Sequence, residues 1–412
     1  MTDIHLYLGN NAVEHLVEYC AAQHLARFLL VADKNTYAVL GQAVEAAIKE
    51  RGWDIKSVVF DEQEVIPNED FIFQVLLQAD FSERMYIAVG SGTLTDITRF
   101  ASHRSRRPFI SLPTAPSVDG FTSPSASLVV RNIKKTVISQ PPVAVISDLP
   151  TLARAPQPMI AAGFGDILGK AIALADWRLG HLVWDEPYSA EIAQRVRQTL
   201  DTCVSAVAEI GQATPSGIEK LMYSLIDSGM CMLDFGNSRP AAGAEHYMSH
   251  FLEMKLLREG RPAVLHGAKV GQCSVLVAGL YDRLRQISRA EAEARLQASS
   301  LPDREDEVAC IERVFGPIAG SLVIEQAPFL EMSPQAYAQL KERILLHWEE
   351  IQSLARLVPP AHEMSRLLVQ AGGPAQPADL NLTAEEISQS LEYAHFIRNR
   401  FTVRKLGRIL GF

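Results

Sequence analysis

The sequence predicts an α/β domain built on a parallel sheet, followed by an all-α domain. Three observations lead there. Over the first 150 residues, short apolar runs alternate with amphipathic helical stretches, the rhythm of strands joined by crossover helices. After Pro150 strand signals nearly vanish, and long helical patterns run to the C-terminus. The 412 residues also exceed one ordinary core, taking roughly 150 residues per domain.

Taken in order, ARFLLVAD (26–33) is a buried strand and YAVLGQAVEAAIKERG (37–52) an amphipathic helix. KSVVFD (56–61), a helix over 68–79, MYIAVG (85–90), a helix over 93–103 and PFISLP (108–113) continue the alternation. SLVVRNIKKTVIS (127–139) reads as a hairpin turning at Arg131 and Asn132. VAVISD (143–148) is the last strand. The domain boundary is expected near 150–155, dividing 1–152 from 153–412. Within the helical half, GGPAQPADLN (372–381) is an internal loop, and Thr383 with Glu386 three residues on forms a capping box. There is no internal repeat.

The net charge of −9 repels polyanions, so nucleic acid is not an expected partner. A small anionic substrate stays compatible, because a local cationic pocket can oppose the global field. Five cysteines without CxxC spacing read as reduced thiols. MTDIHLYLGN lacks the residue order of a secretory leader. No apolar run reaches the ~18 residues of a membrane span. The cytoplasm is therefore the expected location, with no membrane partner.

Gly90-Ser91-Gly92-Thr93 follows a strand directly and opens a helix. Glycines let a backbone approach a pyrophosphate, and a helix N-terminus offers free N–H groups. The pattern suits one half of a dinucleotide, but a lone GxG is equally a glycine-bearing turn without ligand. Asp33, at the end of the first strong strand, is a candidate for an adenosine ribose, with Asp61 and Glu62 as rivals and an ordinary loop role as the alternative. Thr114-Ala115-Pro116-Ser117-Val118-Asp119-Gly120 follows another strand, where α/β sheets place ligands. It is either a ligand loop or a plain Pro/Gly/Asp turn.

In the helical half, three apolar segments carry polar residues. Asp166 lies in MIAAGFGDILGKAIALADW, where an isolated buried charge would be prohibitive. Lys170, four residues on, is its simplest partner. His246 and His250 share a helix face in GAEHYMSHFLEM, and His266 opens a helix in AVLHGAKVGQCSVLVAGL. Singly each histidine suits a core or surface role. Together with Asp166 they favour a divalent metal with an open coordination position. The remaining eight histidines carry no assigned role.

GSGTLTDITRF, PTAPSVDGFTSPSA, AAGFGDILGK, SRPAAGAEHYMSH and LHGAKVG, in this order, resemble the sn-glycerol-1-phosphate dehydrogenase family, within the iron-containing alcohol dehydrogenase and dehydroquinate synthase-like superfamily. The motifs run from about 85 to 270 and resume at IRNRFTV (397–403); 1–84 and 275–390 match only in layout. The resemblance implies a dehydroquinate synthase-like two-domain fold, with a Rossmann-like domain binding NAD or NADP and an all-helical domain binding zinc, nickel or iron. It implies Asp166, His246 and His266 as ligands, and His250 as a second histidine near substrate. It puts Gly92, Thr93 and Asp96 in the pyrophosphate loop and Thr114 and Ser117 beside nicotinamide. Asp119 and Ser123 fall near nicotinamide or substrate. Ala242 departs from the serine expected in SRPASGAEH.

The activity so implied is interconversion of glycerone phosphate and sn-glycerol 1-phosphate in a homodimer or larger assembly. Asp119 and His250 are the candidate proton relays. Lys269 is the candidate substrate cation, with Lys134 and Lys135 behind it. Glycerol dehydrogenase, dehydroquinate synthase and a catalytically inert nucleotide sensor are the alternatives.

Overall fold

The computed structural model describes residues 4–80, 82–131 and 133–412. Its first half is built on β1 His5–Gly9, β2 Arg27–Asp33, β3 Asp54–Phe60, β4 Met85–Val89, β5 Phe109–Leu112 and a last strand Ala144–Asp148. Between β5 and that last strand, β6 Ser125–Val130 and β7 Ile133–Ile138 pair antiparallel, so Ala144–Asp148 is β8. This is the expected hairpin. Arg131 sits in its turn, while Asn132 lies outside the described residues, as do Met1 to Asp3 of the N-terminal segment.

The six-stranded sheet is parallel throughout, in the order β1-β8-β5-β4-β2-β3. From β2 the chain goes outward to β3, then returns to β4 on the other side of β2. The strand order therefore reverses between β2 and β4, and doubly wound sheets bind ligands in such a crevice. Asp33 ends β2 and Gly90 follows β4, so the two candidates flank that crevice.

Side chains alternate across β2 with period two. Phe28, Leu30 and Ala32 pack on one face with α1 Ala12–Ala22 and α2 Gln42–Glu50. Leu29 and Val31 pack on the other with α3 Glu69–Leu77 and α4 Gly92–Arg104. Sequence reading missed β1, because HLYLG sits at a sheet edge and is only half-buried, so its pattern carries no continuous apolar run. The expected helix over 37–52 begins with a wider π-turn, Tyr37–Gly41, before α2.

From Leu149 the described chain is helical, without a further strand. The helices that build the site are α5 Gln157–Leu168, α6 Lys170–Trp184, α7 Pro215–Phe235, α8 Ala244–Arg258 and α9 His266–Gln286. The capping box of Thr383 and Glu386 forms at the start of α10 Ala384–Tyr393. The chain closes with α11 Val403–Leu410. Residues 157–184 are long and apolar enough to cross a bilayer by composition, contrary to the expectation. Their most apolar window is 89% buried inside the protein, as befits a core helix. The expected boundary falls on a short helix, Leu149–Ala153, whose Leu152 is buried in the same core as Val145 of β8 and the later helices. All five cysteines are free, and four are buried.

Candidate active site

Asp166 lies near the end of α5, His246 in the first turn of α8 and His266 at the first position of α9. One ligand atom from each of the three lies within 4.8 Å of the others. The glycines of the GFGD and HG segments explain how these helices approach. A Cβ on Gly267 would overlap the carbonyl of Ala162, and one on Gly163 would overlap the carbonyl of Pro116. Bare backbone thus lets α5 touch both α9 and the loop after β5.

The donor set fits a divalent ion. Glu245 Oε1 lies 2.7 Å from His246 Nδ1 and also accepts the Gly243 N–H at 2.9 Å. A carboxylate so placed fixes the proton on Nδ1 and leaves Nε2 as the nitrogen that faces inward. The inward nitrogen lies 3.5 Å from Asp166 Oδ1. His266 Nδ1 is buried without a hydrogen-bond partner, a cost that a ligand would relieve. Burial works against charge on His246, but the flanking Asp166 and Glu245 raise its pKa to about 9. The same negative field attracts a divalent cation. Burial holds His266 down at about 3, so this imidazole stays neutral and keeps a lone pair on one ring nitrogen.

Asp119 and Lys170 join this cluster to the sheet. Asp166 Oδ2 accepts the Asp119 backbone N–H at 3.0 Å. Lys170 Nζ donates to Asp166 Oδ1 at 3.0 Å and to the Ala241 carbonyl at 3.2 Å, and lies 2.8 Å from Asp119 Oδ2. Ser228 Oγ donates to the same Asp119 oxygen at 2.9 Å. Lys170 is wholly buried. Burial opposes its charge, yet Asp119 and Asp166 raise its pKa and keep it an ammonium. His250 ranges beside the triad, its ring centroid 6.4 Å from His246 and 5.8 Å from His266. Burial and the nearby Lys134 hold it well below the usual histidine range, hence neutral.

At the crevice, Ser91 and Ser117 share a hydroxyl–hydroxyl hydrogen bond, tying the GSGT turn to the loop after β5. Thr114 is buried in that loop, and Thr93 stands half-buried in the first turn of α4. Asp96 faces the hairpin, pairing with Arg99 and accepting the Ser127 N–H at 3.2 Å. Burial raises its carboxyl to about 6. Ser123 turns its hydroxyl to its own bend, accepting from Ser125 N–H at 3.0 Å. Asp33 caps the turn after β2, taking both cap bonds on Oδ1. Asp61 is exposed and pairs with Lys34.

Two participants escaped sequence reading, and the reach of a third was missed. Glu245 adjoins His246, and its signal was a carboxylate in an apolar helix start. Glu253, three residues beyond His250, lies on the same face of α8 and meets both Lys134 and Lys269. Lys170 was read as a local partner of Asp166, whereas its contact with Asp119 spans the two halves. Ala242, the departure from the expected serine, offers its carbonyl to Arg400 at 3.2 Å and Tyr247 at 3.4 Å. The turn before α8 is thus held through backbone.

Residues 7–156 match the family of iron-containing alcohol dehydrogenases. The sequence is 38% identical to an NAD(P)+ glycerol-1-phosphate dehydrogenase of Halalkalibacterium halodurans, over 97% of this chain and 90% of that one. An enzyme of the same name from Bacillus subtilis is 34% identical over 96% of this chain and 89% of its own. Among solved structures, NADH-dependent butanol dehydrogenase A of Thermotoga maritima superposes with a TM-score of 0.62 at 13% identity, covering 99% of this chain and 94% of that one. The architecture expected from sequence, an α/β half followed by a helical half, is the fold that superposes on the butanol dehydrogenase.

Proposed function

The chain belongs to the glycerol-1-phosphate dehydrogenase family, within the iron-containing alcohol dehydrogenases, and on that premise we propose that it interconverts glycerone phosphate and sn-glycerol 1-phosphate. The reaction joins the ketone, NAD(P)H and a proton to give the secondary alcohol and NAD(P)+. The observation that carries this reading is the convergence of Asp166, His246 and His266 within 4.8 Å, beside the strand ends where the GSGT turn opens. In this reading residues 1–152 bind the nucleotide and 153–412 bind metal and substrate.

Zinc, nickel or iron held by the three residues would polarise the C2 carbonyl and stabilise negative charge growing on its oxygen. Gly90, Ser91, Gly92 and Thr93 would cradle the pyrophosphate, while Asp96, a turn further along α4, is tied to Arg99 and the hairpin. Thr114, Ser117 and Ser123 lie on the side assigned to nicotinamide. Asp33 Oδ2, the oxygen its cap bonds leave aside, is the candidate ribose acceptor. Asp119, anchored by Lys170 and Ser228, and neutral His250 are the groups that can pass a proton to the product oxygen. Lys269 supplies positive charge on the substrate side. The expected assembly is a homodimer or larger, located in the cytoplasm, where the five thiols would stay reduced.

The test is a substrate panel of glycerone phosphate, glycerol and both glycerol phosphate enantiomers, with metal content measured on the same sample. Turnover of glycerone phosphate and sn-glycerol 1-phosphate with bound metal is expected. Turnover of glycerol alone would make the protein a glycerol dehydrogenase. Metal-free, inert protein carrying NAD would make it a nucleotide sensor.

A further inference from the structure

Lys134, on β7 of the hairpin, reaches across to the helical half. Its Nζ lies 2.6 Å from Glu253 Oε2 on α8. Lys269 on α9 approaches the same oxygen at 3.4 Å, and His250 Nδ1 lies 3.9 Å from it. Three elements from both halves thus meet on one carboxylate, beside the histidine that adjoins the triad. Lys135, next along β7, is exposed, as the period-two alternation of a strand requires.

Two lysines share one carboxylate, and burial lowers the pKa of Lys269 against the pull of Glu253, so a second anion is what would hold both as ammoniums. Lys269 is 1% exposed, and a buried ammonium persists only with partners. Lys269 stands three residues beyond His266 on α9, about 4.5 Å along the axis at helical rise. A phosphate ester one carbon from a carbonyl spans a comparable distance. A phosphate monoester carries about −1.5 to −2 charges and three acceptor oxygens, enough to engage both lysines.

We infer that Lys134 and Lys269 form the clamp for the substrate's phosphate monoester, with Glu253 as the internal counter-ion that keeps the two side chains together while the clamp is empty. This rests on the function proposed above and names the part of the site that separates phosphorylated from free polyols. A polyol without phosphate offers no such anion. Because Lys134 belongs to one half and Lys269 to the other, a bound phosphate also ties the two halves together.

The test compares wild-type holoenzyme with Lys134→Ala, using Lys135→Ala as control and Lys134→Arg to restore the charge. Steady-state kinetics are measured on glycerone phosphate and on unphosphorylated glycerone, and inorganic phosphate binding by calorimetry. Lys134→Ala is expected to raise KM for glycerone phosphate about tenfold or more, the loss of one charge-assisted bond, with no matching rise for any turnover of glycerone. Phosphate affinity should fall in parallel, and Lys134→Arg should recover most of both. Lys269→Met, checked for folding by circular dichroism, should lose phosphate binding as well. Unchanged KM and phosphate affinity in Lys134→Ala would overturn the clamp even while the wild type turns over glycerone phosphate. Loss of phosphate binding in Lys134→Ala, with a wild type inert toward glycerone phosphate, would uphold the clamp and defeat the functional reading instead.

Discussion

Glu245 decides which nitrogen His246 presents. With Nδ1 held 2.7 Å from Glu245 Oε1, Nε2 is the atom left to face Asp166 and His266. Removing such a partner from a ligand histidine typically costs 10- to 100-fold in metal affinity. Glu245→Gln keeps the size and loses the charge, so metal affinity measured by competition with a chelator should drop by about that factor while the far-ultraviolet spectrum stays unchanged. Undiminished affinity would show that the tautomer is set elsewhere. The candidate set was legible in sequence because Asp166, His246, His250 and His266 interrupt apolar helical patterns, where unpartnered polar groups are too costly to be incidental, and the family resemblance singled out three of the four. Glu253 and the long reach of Lys170 were not legible. Lys170 meets Asp119, and Lys134 meets Glu253 119 residues away; no periodicity within one helix encodes such a partner.

Between elements, the close approach of α5 and α9 rests on Gly267. A methyl there would overlap the Ala162 carbonyl, and backbone cannot swing aside as a side chain does. Gly267→Ala should therefore force the helices apart, lowering stability by about 1–3 kcal/mol in line with overpacked cores and misplacing His266 beside it. Thermal melting together with metal content would check both effects; an unshifted Tm would mean the contact yields easily. In α11, Lys405 is buried, donates to Gln326 Oε1 at 2.9 Å and stands 3.6 Å over the Phe329 ring. Burial, reinforced by Arg408, brings its pKa down to about 7. Between pH 7 and 10 the unfolded chain therefore holds a proton that the folded chain has shed, so this lysine's contribution to stability rises with pH and is lost as pH falls through 7. The Tm of the wild type minus that of Lys405→Met should increase from pH 7 to 9. A difference constant across that range would remove Lys405 as the cause.

Across the whole molecule, the two halves share apolar surface. Ile4, Val145 and Leu152 of the first half are buried in the same core as the helices of the second, and α5 presses Gly163 against the Pro116 carbonyl. One unfolding transition is expected in calorimetry rather than two. Divalent metal at a hundred times its Kd should stabilise that transition by ~2.7 kcal/mol, and chelation should reverse it; two separate transitions, only one of them metal-sensitive, would show that the halves unfold independently. What the sequence determined by itself was local. Apolar periodicity set five of the six sheet strands and the long helices, the glycine-rich turn opened α4, and single polar residues marked Asp166 and the histidines His246, His250 and His266. What the tertiary structure decided was everything that joins distant segments. It placed the edge strand β1, and it set the crevice between β2 and β4. It gathered the Asp119–Lys170–Asp166 link and brought Lys134 and Lys269 onto Glu253. The physical reason is that burial imprints a period on each segment of chain, whereas a charge records only that it needs a partner, and the fold alone selects which one it meets.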